Sequence, residues 1–75
     1  LMERLIIETL EDLGFYFIYS EGDDLLFFEW EDRSRLTDRD LKDIEYALSD
    51  ILGRYEYMVS RAEANTFVVE TFLLD

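Results

Sequence analysis

The sequence predicts one small α+β domain spanning residues 1–75, with the element order αββαββ and a four-stranded antiparallel sheet. Two segments carry apolar residues at helical spacing, and each of them ends at a Leu-Gly pair. An aromatic or β-branched stretch, turn residues and a second apolar stretch follow each pair, which is typical of a β-hairpin. Both helices are expected on one face of the sheet, because each needs to bury its apolar side.

The first helix is predicted over residues 1–13, and Gly14 occupies the position where a left-handed residue commonly ends a helix. A strand follows over Phe15–Ser20, then an acidic turn over residues 21–24, and then a returning strand over Leu25–Trp30. The apolar face of the first helix is expected to comprise Met2, Leu5, Ile6, Thr9, Leu10 and Leu13.

Strict alternation assigns faces to these two strands. The returning strand places Leu26, Phe28 and Trp30 on one face and Leu25, Phe27 and Glu29 on the other. The same alternation is expected to group Phe15, Phe17 and Tyr19 on one face of the first strand, opposite Tyr16 and Ile18. Both faces of the first strand are therefore apolar, whereas the outer face of a two-layer domain is normally polar.

The second unit begins after a charged loop over residues 32–36. Thr37 is the predicted N-cap of a helix that runs to about Leu52, and Gly53 repeats the stop signal of Gly14. Strands are predicted over residues 54–61 and 66–74, joined by a turn over residues 62–65. The two units resemble an internal duplication, in which Glu29 aligns with Glu70; the alternative is that any two helix–hairpin units look alike at this level.

Composition excludes several classes of function. Asp and Glu number 19 against 7 Lys and Arg, for a net charge of −12. This charge repels phosphate, so direct nucleic-acid binding and anionic-membrane binding are not expected, whereas a protein with a basic surface is attracted. The chain has no His or Cys and no glycine-rich phosphate loop, so we expect no enzymatic activity, cofactor or metal. The charge alone is also explained by solubility.

Two candidate binding surfaces remain. The first is an acidic rim, which we expect to engage a basic protein surface as part of an inhibitor or adaptor. Nucleic-acid mimicry, of the kind that viral anti-defence inhibitors use, is one mode in which it could do so. Its residues are Glu29, Glu31, Asp32, Asp38, Asp40 and Asp43. We expect the turn acids Glu21, Asp23 and Asp24 to extend it along one edge.

The second surface is a hydrophobic interface that would serve a small acidic dimeric chaperone or an oligomerisation domain, and it predicts a homodimer. Its residues are Phe15, Phe17, Tyr19, Leu25 and Phe27. No apolar run reaches the roughly 18 residues that a membrane span needs, and we expect a cytoplasmic protein.

Overall fold

The computed structural model describes residues 2–30, 35–53 and 56–72. Along the chain, the elements are α1 (Met2–Asp12), β1 (Phe15–Glu21), β2 (Leu25–Trp30), α2 (Asp38–Leu48), β3 (Tyr57–Glu63) and β4 (Thr66–Thr71). The predicted order αββαββ is confirmed. The four strands form one antiparallel sheet in the order β1-β2-β4-β3, with the helices packed on the sheet.

The hydrophobic core lies between the two helices and one face of the sheet. Phe28 of β2 and Phe67 of β4 are directly opposite each other, and their rings stack with centroids 5.3 Å apart. Ile6 and Leu10 of α1 cover them together with α2. The buried residues are Ile6, Leu10, Phe15, Leu26, Phe28, Leu36, Ile44, Leu48, Leu52, Phe67 and Val69.

The two αββ units meet symmetrically at the central strand pair. The pairing of β2 with β4 is centred on Phe27 opposite Val68, and Glu29 and Glu70 each lie two positions beyond that centre in opposite directions. In addition, α1 contacts β1, α2 contacts β3, and the helices contact each other. This arrangement is what an internal duplication would produce, although the duplication itself stays a prediction.

The second helix ends at Leu48 rather than at Leu52. Ser49 follows it, and its hydroxyl donates to the carbonyl of Tyr46 at 2.6 Å, which offers the chain a local alternative to further helix. Residues 49–52 continue as turns, in which the Leu52 amide donates to the Leu48 carbonyl at 2.9 Å.

The two predicted glycine stop signals have different outcomes. Gly14 has a φ of 99°, as predicted. The prediction is wrong for Gly53, whose φ is not in the left-handed region. Instead, the Gly53 amide donates to Oε1 of Glu56 at 2.7 Å and its carbonyl accepts from the Glu56 amide at 2.9 Å. This turn delays the third strand, which was predicted over residues 54–61 and runs from Tyr57 to Glu63.

Candidate interaction surfaces

A β-bulge in β1 divides the predicted hydrophobic interface. Phe17 pairs with Phe28, but the next pair is Tyr19 with Phe27, so Ile18 is an extra residue in β1. The extra residue moves Tyr19 to the opposite face of the sheet from Phe17. The prediction that Phe15, Phe17 and Tyr19 share one face is therefore wrong for Tyr19.

The face of Phe15 and Phe17 is the helix-covered one. Phe15 is only 5% exposed, and its ring lies 4.5 Å from that of Trp30 and 5.2 Å from that of Phe67. The ring of Phe17 lies 5.6 Å from that of Phe28 and packs against the core. These two phenylalanines stabilise the domain itself, which corrects their assignment to an exposed interface.

The side of the sheet away from the helices, which we call the open face, carries the other three predicted interface residues. Its central row runs across all four strands, because Tyr19 pairs with Phe27, Phe27 with Val68, and Val68 with Ser60. The rings of Tyr19 and Phe27 stack with centroids 4.5 Å apart and an interplanar angle of 6°. An aromatic and aliphatic row of this kind is unusual on the uncovered face of an antiparallel sheet.

Two further rows border the central row. On one side lie Tyr16, Glu29 and Thr66, and on the other side lie Glu21, Leu25, Glu70 and Met58. Tyr16, Tyr19 and Met58 are each about half exposed, at 54%, 47% and 49%. Apolar side chains in this number on an uncovered surface are typical of a binding site.

Every charged side chain that the described strands place on the open face is a carboxylate. By register these are Glu21, Glu29, Glu63 and Glu70. Arg61, the cation of β3, pairs with the buried Phe67 and thus lies toward the other face. Glu29 and Glu70 are half-buried, and within the described residues no hydrogen bond or ion pair engages their side chains.

The described members of the acidic rim do not form one stripe. Glu29 lies on the open face, whereas Asp38, Asp40 and Asp43 lie on α2, which packs on the opposite side of the sheet. The predicted stripe along one edge is therefore wrong for these residues. Glu31 and Asp32 lie outside the described residues.

The turn acids Asp23 and Asp24 do not extend the rim either. They precede β2, and the Asp24 carbonyl accepts from the Thr71 amide at 2.9 Å. The start of α2 lies beside the β3–β4 turn, at the opposite end of β2. There the Trp30 backbone amide donates to the Asn65 carbonyl.

Two of the α2 carboxylates have structural partners. Asp38 lies 3.5 Å from Arg61, an ion pair at the surface. Asp40 forms a capping box with Thr37: its Oδ2 accepts from the Thr37 amide at 2.8 Å, and the Asp40 amide donates to Thr37 Oγ1 at 3.0 Å. The predicted N-cap is confirmed, and Asp40 is explained by helix capping without any partner. Asp43 is exposed.

A cavity of about 180 Å³ lies between the end of α1 and the start of α2. It is lined by Leu13, Phe15, Trp30, Asp40, Asp43 and Ile44. Ligand pockets usually measure ~300–1,000 Å³, so this recess is small for an organic cofactor. Among the described residues, no group of three or more acidic side chains is placed to hold a metal ion. Likewise, none of the described helices has the length and apolar character to cross a membrane.

Comparison of the chain with protein-family models, with curated proteins and with solved structures finds no match. Sequence reasoning missed several residues of the open face, namely Tyr16, Met58, Glu63, Val68 and Glu70. One signal pointed to the last two, namely the alignment of Phe27-Phe28-Glu29 with Val68-Val69-Glu70 between the two units. The antiparallel pairing of β2 with β4 places these two segments side by side.

Proposed function

We propose that this chain is a non-enzymatic binding protein, an inhibitor or adaptor, whose open face engages a basic and partly apolar surface of another protein. The observation that carries the proposal is the central row Tyr19–Phe27–Val68, bordered by Glu29 and Glu70 and by no cation of the described strands. Burial of the apolar row would supply affinity, and the carboxylates would select a basic partner and speed its association.

The position of the two glutamates strengthens their effect. Glu29 and Glu70 lie beside apolar side chains and are half-buried, so a partner that covers the face would shield them from water. Coulomb attraction to a partner's Lys or Arg increases as water is excluded. An unpaired carboxylate covered by an apolar surface is unfavourable, which excludes partners that bring no cation.

The carboxylates of the open face also disfavour self-association through this face. A second copy placed face to face would bring its own glutamates against Glu29 and Glu70. The homodimer therefore stays an alternative, together with the chaperone-like role that it was predicted to serve. Nucleic-acid mimicry has less support, because Asp38 is paired with Arg61 and Asp40 caps its helix.

Capture of proteins from a native lysate, quantified by mass spectrometry, tests the proposal. Three baits are compared: the wild type, the double variant Glu29→Gln/Glu70→Gln, and the control Glu3→Gln/Glu11→Gln. The control removes the same two charges from exposed positions of α1. We expect the captured amount of each specific partner to fall with the open-face variant and with added salt. The control should capture as much as the wild type. Equal capture by all three baits would refute the proposal.

A further inference from the structure

The open face is large enough to accommodate one helix laid across the strands. Its central row spans four strands, and three spacings of about 4.8 Å make roughly 14 Å from Tyr19 to Ser60. At a rise of 1.5 Å per residue, this length corresponds to about ten residues, or nearly three turns of α-helix. The row consists of the aromatic and aliphatic residues Tyr19, Phe27 and Val68, and it ends at Ser60.

The two glutamates lie on opposite sides of that row. Glu29 is two positions beyond Phe27 in one direction, and Glu70 is two positions beyond Val68 in the other. Each offset is about 7 Å, so roughly 14 Å separates the two carboxylate-bearing rows. An α-helix with its side chains is about 10–12 Å wide. Lys or Arg side chains on both flanks of such a helix therefore extend to Glu29 and Glu70.

Resting on the proposed function, we infer that the occupant of the open face is an amphipathic α-helix of the partner, with basic residues on both sides of its apolar stripe. The apolar stripe contacts Tyr19, Phe27 and Val68, and one basic flank pairs with Glu29 while the other pairs with Glu70. This charge pattern complements the face on both borders, which a helix with cations on only one flank would not do.

An extended segment fits this face less well. Laid on apolar side chains, it would leave its backbone N–H and C=O groups without partners, whereas a helix satisfies its own backbone. An extended segment that pairs instead with β1 or β3 at the sheet edge contacts the edge backbone and not the central row. The bulge at Ile18 further interrupts the β1 edge.

Two synthetic peptides of about 14 residues and identical Leu/Lys composition test the inference. The first places Leu at helical spacing with Lys on both flanks, and the second alternates Leu and Lys, which favours a strand. Binding is measured by calorimetry at low and moderate salt, and the bound peptide's helicity by circular dichroism. We expect the first peptide to bind as a helix about tenfold more tightly than the second.

The same variants identify the binding surface. Glu29→Gln/Glu70→Gln should lower the affinity for the helical peptide about tenfold or more. The Glu3→Gln/Glu11→Gln control should change its affinity much less, because it alters only the overall charge. Loss of binding to the same extent in both variants would overturn the inference, since attraction would then depend on net charge alone.

The remaining outcomes separate this inference from the proposed function. Equal or tighter binding of the alternating peptide would overturn the inference that the occupant is a helix. The proposal of a basic partner would remain. If neither peptide binds, the helical occupant is overturned as well. The lysate capture then decides independently whether any partner depends on the open face.

Discussion

Removal of the Asp40 side chain should destabilise the protein, although the sequence placed this residue in a binding surface. Asp40→Ala breaks the 2.8 Å hydrogen bond from the Thr37 amide to Oδ2 and removes a negative charge from the first turn of α2. Loss of an N-terminal cap costs about 1 kcal/mol, and the helix dipole adds ~0.3–1 kcal/mol for a nearby anion. Alanine recovers part of this cost through its higher helix propensity.

Asp43→Ala is the matched control, because it removes the same charge one turn later in the same helix and gains the same propensity. Asp43 is exposed and takes no part in the capping box. The difference between the two variants thus reports the capping hydrogen bond together with the first-turn charge, and we expect Asp40→Ala to be less stable by about 1 kcal/mol. For a domain of this size, that difference lowers the melting temperature by about 4–8 °C.

Urea unfolding followed by circular dichroism measures the difference directly. With a slope of ~1 kcal/mol per M for a small protein, the midpoint should shift by about 1 M. Thr37→Ala should cost a similar amount, but the double variant should cost less than the sum, because the two hydrogen bonds belong to one motif. Equal midpoints for Asp40→Ala and Asp43→Ala would refute the assignment of Asp40 to the cap.

Four further results are expected. Phe28→Ala should destabilise the protein by about 3–5 kcal/mol in urea unfolding and Phe27→Ala by clearly less, since Phe28 is fully buried and Phe27 lies on the open face; equal costs would contradict the face assignment. Gly53→Ala should lower the free energy of unfolding by about 1 kcal/mol in the same assay. The new Cβ would lie 2.9 Å from Glu56 Cδ and would displace the carboxylate that accepts from the residue-53 amide. Glu56→Gln, which keeps an acceptor oxygen, should cost less. The melting temperature should rise with added NaCl, because a net charge of −12 makes self-repulsion the main surface effect; a fall would show that specific ion pairs dominate. Any self-association through the open face, measured by sedimentation equilibrium, should strengthen with salt, whereas the affinity for the basic helical peptide should fall. Self-association that weakens with salt, together with peptide affinity that rises, would favour a second copy over a basic partner.

The sequence by itself determined the features that depend on neighbours along the chain. Thr37 and Asp40 mark the start of α2, and Gly14 marks the end of α1, because capping involves only a few consecutive residues. The alternation of β2 correctly grouped Leu26 and Phe28 on one face, which is the buried one, because no bulge interrupts that strand. These local signals were sufficient for the order αββαββ.

The loop before α2 shows where local reasoning failed. Leu36 was assigned to a charged loop, yet it is fully buried, and its amide donates to the Ala64 carbonyl at 2.9 Å. That partner belongs to the turn between β3 and β4, which is distant in the sequence. A single apolar residue in a polar segment gives no sign that such a contact exists.

Only the tertiary structure decided which side chains share the open face. The bulge at Ile18 depends on how β1 pairs with β2, and it separates Tyr19 from Phe15 and Phe17 without any glycine or proline to signal it. Likewise, the pairing of β2 with β4 brings Glu70 and Val68 beside Phe27 although about 40 residues of chain lie between them. Alternation alone grouped Leu25, Phe27 and Glu29 on one face, but the residues that other strands add to that face depend on register and therefore on long-range contacts.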